Sequence, residues 1–119
     1  MVKTGNDLAE RLIQFAVRII KITKKLDSSY AAKHIGEQLL RSGTSPGANY
    51  EEARGAESRK DFIHKMGIVL KELKESRYWL KLLNKSDIIT GQDIESLSSE
   101  CEELCAIIAK SIMTAKSKK

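Results

Sequence analysis

The residues of this 119-residue chain that could do chemistry are two histidines, two cysteines and a few carboxylates spaced to face inward. His64 follows Asp61 by one helical turn. An aspartate at that spacing can orient an imidazole for general-base work. The same spacing also arises between solvated neighbours on a helix surface, and that reading carries more weight. His34 has no second histidine or cysteine at ligand spacing. Cys101 and Cys105 are one turn apart, with Leu97, Leu104 and Ile108 around them. Adjacent turns aim the Cβ vectors poorly for a disulfide, and two thiols without a clustered histidine make a poor zinc site. They read as buried, reduced core residues. No glutamate stands three residues before either histidine, so the carboxylate–histidine pairs of a di-metal bundle are missing. Gly43 and Gly47 lack the Lys-Ser/Thr pair of a phosphate loop. The expectation is a protein with no enzyme activity, no cofactor and no metal; an enzyme built on Asp61, His64 and inward carboxylates is a distant third choice.

The remaining polar residues with a pattern look structural. Ser42, Ser45, Asn49 and Glu52 lie three or four apart and continue the apolar row of Ile35 and Leu39. A row that turns polar while still facing the core implies a buried hydrogen-bond network; the alternative is that it rotates to solvent. Glu52, Glu72 and Glu75 would pair with Arg41, Arg59 or Asn49, because a buried carboxylate must be paired or it neutralises.

Charge sets the partner classes. The net charge is +5 and the pI is near 9.2, which permits an acidic partner such as RNA or DNA without requiring one. Arg18, Lys21, Lys24 and Lys25 cluster at the end of the first helical segment, and Lys116, Lys118 and Lys119 close the chain. These are the candidate phosphate contacts, and binding through them would be sequence-tolerant and salt-sensitive. No aromatic stacking platform is evident, so base reading is not expected. The competing reading is a protein-interaction scaffold that never touches nucleic acid. No apolar run approaches the roughly 20 residues of a membrane span, and the N-terminus lacks the apolar core of a signal peptide. A cytoplasmic protein is expected.

Four helical segments must position these residues. The first, capped by Asn6 or Asp7, runs to about Lys25 with Leu8, Leu12, Phe15, Ala16, Ile19, Ile20 and Thr23 as its stripe. Ser28 or Ser29 caps the second. That segment meets a breaker cluster where Gly43 suits a C-cap, Ser45 an N-cap and Pro46 a first helical turn. Either two helices meet end to end there or one helix is kinked; the kink is preferred. Ser58 with Asp61 caps the third segment, which carries Phe62, Met66, Val69, Leu70, Leu73, Ser76, Leu80 and Leu83 inward. Thr90 and Asp93 resemble a cap for the fourth, whose seam is Ile94, Leu97, Cys101, Leu104, Ile108 and Ile112. Short connections make this an all-α, antiparallel up-down-up-down four-helix bundle, one domain over 1–119 with a basic tail from about 114. Ile13 and Val17 on the first helix and Ile68, Trp79 and Leu82 on the third exceed what one stripe needs. They imply a homo-oligomer contact. Trp79 fits the edge of its own bundle equally well.

Three stretches carry a family resemblance: Leu-Leu-Arg-Ser-Gly-Thr-Ser-x-Gly-Ala-Asn-x-x-Glu from Leu39, Ala-Glu-Ser-x-Lys-Asp-Phe-Ile-His-Lys from Ala56, and Lys-Glu-x-x-Glu-Ser-x-Tyr-Trp-Leu from Lys71. Together they resemble the bacterial "four helix bundle protein" family. That family includes proteins encoded by intervening sequences of large-subunit ribosomal RNA genes, and a distant relative is the accessory variability determinant of diversity-generating retroelements. The resemblance implies a four-helix bundle that assembles as a ring, a pentamer, with no known enzyme activity or cofactor. Its motif positions here are Arg41, Ser42, Ser45, Asn49, Glu52, Ser58, Asp61, Phe62, Glu72, Glu75, Ser76 and Trp79, and they look structural. Pro46 departs from the pattern, standing where isoleucine is expected.

Overall fold

In the computed structural model, residues 5–118 are described, and they form four helices: α1 (Gly5–Thr23), α2 (Tyr30–Arg54), α3 (Arg59–Lys85) and α4 (Gln92–Ser117). Met1–Thr4 and Lys119, with the side chain of Asn6, lie outside the description, so the Asn6 cap does too. Neighbours in sequence pack side by side, and α4 returns to α1; α1 and α3 sit at opposite corners, as do α2 and α4. The result is a four-helix bundle 50 × 25 × 20 Å in extent.

The core is drawn from narrow seams. On α1 the buried row is Leu8, Leu12, Phe15, Ile19 and Ile22, with Ala9 beside it. Its steps alternate four and three, a heptad seam. The expected stripe included Ile20 and Thr23; the helix is instead turned so that Ile22 points in and Ile20 is 39% exposed. From α3 come Met66, Val69, Leu73, Leu80 and Leu83, and from α4 Ile94, Leu97, Leu104 and Ile108.

Caps fix most of the helix starts. Ser29 Oγ accepts from the Ala32 N–H at 3.1 Å, and Ser58 Oγ accepts from the Asp61 N–H at 3.0 Å. The fourth helix departs from expectation. Its N-cap is Gly91, at φ +113° and with no side-chain bond, rather than Thr90. A positive φ favours glycine there. Asp93 reaches Lys25 instead.

The breaker cluster does not break α2. The helix runs through 43–46 without interruption, so the end-to-end alternative and both proposed caps fall. Ser45 Oγ donates back to Arg41 O at 2.7 Å, and Thr44 Oγ1 to Leu40 O at 2.7 Å. A helix-interior bond of this kind is not a cap. Gly43 serves close approach: an added Cβ would lie 2.6 Å from Ile19 Cγ1. Gly43 and Pro46 are both buried, so tertiary packing of this face holds the helix against two poor helix formers.

Candidate functional site

The polar row lies on the α2–α3 seam. Ser42 and Ser76 are wholly buried, and Ser76 Oγ donates to Ser42 Oγ at 2.9 Å. Ser42 in turn faces Leu39 O at 3.4 Å. Two turns on along α2 and one turn back along α3, Asn49 Nδ2 donates to Glu72 Oε1 at 2.9 Å. Burial raises the Glu72 carboxyl above its ordinary value, against the opposing effects of the Asn49 hydrogen bond and the Arg41 charge. Towards the surface Arg41 Nη2 donates to Glu75 Oε2 at 2.8 Å. Two expected members stand apart. Glu52 is exposed and 3.5 Å from Lys65 Nζ of α3, so it still meets that helix, but at the solvent edge of the seam and not within it. Ser45 bonds its own helix. Arg59, an expected carboxylate partner, donates instead to the Lys118 carbonyl. The seam is a ladder of polar side chains that pair with one another between the two helices.

The chemically capable residues are scattered. His64 is exposed and shares no hydrogen bond with the half-buried Asp61 among the described residues. His34 stands edge-on to Trp79, ring centroids 6.2 Å apart. Cys101 and Cys105 are buried free thiols, and Cys101 Sγ lies 3.2 Å from Leu73 O. The hydrogen bond from Cys101 pulls Cys105 down to about 7. The same bond, with burial, holds Cys101 well above the usual thiol range. Among the described residues no group of three His, Cys, Asp or Glu side chains could hold a metal ion.

The α1 cations are partly spent inside the bundle. Lys25 Nζ is 2.9 Å from Asp93 Oδ2, and the Lys25 hydrogen bond pulls the Asp93 carboxyl below its usual value. Arg18 Nη2 donates to Ser96 Oγ at 2.9 Å. Arg11 meets Glu100 at 2.7 Å and Glu103 at 3.1 Å. Lys21 and Lys24 are exposed. With Arg18, Lys25, Asp93 and Leu97 they line a hollow of about 500 Å³ between α1 and α4. Lys116 is exposed, and Lys119 lies outside the described residues.

A second basic surface escaped the sequence reading. Lys60, His64, Gly67, Lys71, Lys74, Tyr78, Lys81 and Lys85 are all exposed on α3. Their steps alternate four and three, so they form one row along the helix. That spacing was available in the sequence; attention to the apolar stripe of α3 hid its polar counterpart.

The five surplus apolar residues divide between two surfaces. Ile13 is 50% exposed and Ile20 39%. With Ala16, Val17, Gly47 and Ala48 they line an α1–α2 groove of about 300 Å³. On α3, Trp79 and Leu82 pack against the core, and Ile68 is half-buried. Trp79 Nε1 is buried with no hydrogen-bond partner, and its ring stands edge-to-face with Tyr78, centroids 5.1 Å apart.

The family model described as 23S rRNA-intervening sequence protein matches residues 5–110. The chain belongs to that family. Among solved structures, a protein of unknown function from the S23 ribosomal protein family of Bacteroides thetaiotaomicron VPI-5482 superposes with a TM-score of 0.83. It is 39% identical, and the match covers 92% of this chain and 97% of that one. No curated protein matches. In this chain the family-like residues Arg41, Ser42, Asn49, Glu72, Glu75 and Ser76 are the members of the α2–α3 polar seam. Their geometry is that of helix packing. No helix among the described residues is long and apolar enough to cross a membrane.

Proposed function

We propose that this protein is a non-catalytic cytoplasmic bundle that assembles with copies of itself and holds RNA or DNA through surface cations. The observation that carries this reading is an uneven use of charge. Glu100, Glu103, Asp93, Glu75 and Glu102 sit in ion pairs within the bundle, while Glu37, Glu57, Asp87 and Glu95 stay exposed away from the middle of the α3 row. Lysines at the end of α1 and along α3 remain exposed outside those pairs. A surface left with unopposed cations attracts phosphodiesters irrespective of base sequence. The α1–α2 groove, with Ile13 half exposed, supports self-association, and the pentameric ring is what the family resemblance implies.

Fluorescence anisotropy with labelled RNA and DNA at low and moderate salt tests the nucleic-acid half of the proposal. Affinity that falls linearly on a log–log salt plot supports it. No binding at low salt would leave a protein scaffold, the reading favoured by the Lys25–Asp93 and Arg11–Glu100 pairs that neutralise part of the α1 face. Light scattering tests the assembly.

A further inference from the structure

We infer that the solvent-facing row of α3 is the surface that takes nucleic acid, that it takes a single strand, and that Tyr78 is its stacking platform. This assignment rests on the nucleic-acid reading above and adds to it the face and the strand form.

The row is long and of one sign. From Lys60 to Lys85 it spans about 37 Å at the helical rise. It holds Lys60, Lys71, Lys74, Lys81 and Lys85 with His64, and no carboxylate. Along its middle the neighbouring acids are taken: Glu72 accepts from Asn49, Glu75 pairs with Arg41, and on α4 Glu102 pairs with Arg77; Glu57 and Asp61 stand at its start and Asp87 just past its end. None of these five lysines sits in an ion pair among the described residues.

Tyr78 lies between these lysines and is 58% exposed. Trp79 supports it edge-to-face at 75°, and Trp79 is itself met edge-on by His34. Two rings behind it hold the phenol in place while leaving it open to solvent. An exposed, supported aromatic among lysines is the arrangement on which unpaired bases stack. A duplex hides its base faces, so the ring has use only on a single strand.

Gly67 points the same way. It sits in mid-helix on the same row, and a Cβ there would meet nothing within 4 Å. Packing therefore does not require glycine, and helix propensity argues against it. It leaves bare backbone at the edge of a hollow of about 520 Å³ bordered by Leu70, Lys71, Lys74, Tyr78 and Trp79, with the one carboxylate, Glu75, held by Arg41. A sugar or phosphate approaching closely would use that opening. The row also lies at the corner opposite α1, so it is no part of the α1–α2 groove.

The test uses the full chain, a fluorescein-labelled 20-nucleotide oligo(U), and an RNA duplex of the same length. Tyr78→Leu keeps apolar cover over Trp79 but removes the ring face. It is expected to weaken oligo(U) binding about 10- to 100-fold, with Tyr78→Phe restoring it and duplex binding unchanged. Changing Lys71, Lys74 and Lys81 together to Gln is expected to flatten the single-strand salt slope by about 2. Far-ultraviolet circular dichroism checks that each variant keeps its helices. If Lys21→Gln with Lys24→Gln abolishes binding while the α3 variants bind like wild type, the α3 assignment is wrong and the nucleic-acid reading stands. If Tyr78→Leu weakens duplex and single strand alike, the stacking role is overturned. If the wild-type protein binds neither probe at low salt, both the assignment and the reading beneath it fall.

Discussion

Ser42 on α2 and Ser76 on α3 meet with their hydroxyl oxygens 2.9 Å apart, and neither residue has any exposed surface. Two small polar side chains at this crossing let the helices approach while satisfying each other. Ser76 Oγ is also 3.0 Å from Glu72 O, so it keeps an acceptor if Ser42 is lost. Ser42→Ala should therefore cost about 1 kcal/mol or less. Ser42→Leu must force the helices apart and should cost about 1–3 kcal/mol. Urea titration of both variants checks this; an equal loss would mean that hydrogen bonding rather than space governs the crossing.

Pro46 lies inside α2 and has no N–H to offer Ser42 O. Pro46→Ala restores that bond and removes a steric conflict, a gain of up to about 3 kcal/mol in a helix interior. Loss of the buried ring offsets part of it, at about 0.8 kcal/mol per CH₂. The variant should be more stable by about 1–2 kcal/mol in a denaturant titration. A destabilised variant would show that the ring's packing outweighs the missing bond.

The seams of α3 and α4 could be read from spacing, because each buries one row at heptad steps; on α1 the adjacent Ile19, Ile20 and Ile22 left the rotation of the helix open. Ser29 and Ser58 could be read as caps for a similar reason: capping is a local interaction between a hydroxyl and an N–H a few residues on. The 43–46 cluster could not. Gly43, Ser45 and Pro46 carry a strong local signal for helix ends, but that signal loses to the contact of Gly43 with Ile19, a residue 24 positions earlier. The polar seam was visible as a row in α2, yet only the partner helix shows that Asn49 faces Glu72 while Glu52 has rotated out to Lys65. Likewise, opposing charges on α4 decide which α1 cations remain free, and no pattern within α1 contains that information.

Two glycines with opposite surroundings make a paired test of packing against propensity. At Gly43 a new methyl would collide with the buried Ile19 side chain at 2.6 and 2.9 Å. Gly43→Ala should lose about 1–3 kcal/mol from strain, outweighing the improved helix propensity. Gly67→Ala meets nothing within 4 Å and should gain about 0.5–1 kcal/mol. Chemical denaturation of the two variants side by side reads the difference. A stabilised Gly43→Ala would show that α1 and α2 are not held this close.

Glu72 gives the protein a pH dependence of definite sign. Its folded carboxyl is raised chiefly by burial, so the folded state binds the proton more tightly than the unfolded chain does. Stability from this group is present below the unfolded value and is lost as pH rises through the raised folded value. The side chain is only half-buried, so solvent keeps the slope shallow. Glu72→Gln can still accept from Asn49 but cannot ionise. Its stability should lack this decline from the ordinary carboxylate range upward. Urea midpoints for both proteins between acid and neutral pH check it; parallel curves would show that the site does not raise the Glu72 carboxyl.

Ile13 and Trp79 separate self-association from folding. Ile13 is 50% exposed beside the α1–α2 groove, so a charge there should change protomer stability by no more than about 0.5 kcal/mol. Ile13→Glu should shift the mass toward the 13.3 kDa protomer while helicity survives, because a charge buried between subunits is costly. Trp79 packs partly against its own core. Trp79→Ala should instead cost about 2 kcal/mol of folding stability, roughly half the loss for a fully buried indole, and leave the mass unchanged. Light scattering alongside thermal melts distinguishes the two effects. A mass change in the Trp79 variant would place the contact on α3. A wild-type protein that runs at the protomer mass at micromolar concentration would show that Ile13, Val17 and Ile20 are tolerated as open surface, and self-association would be discarded.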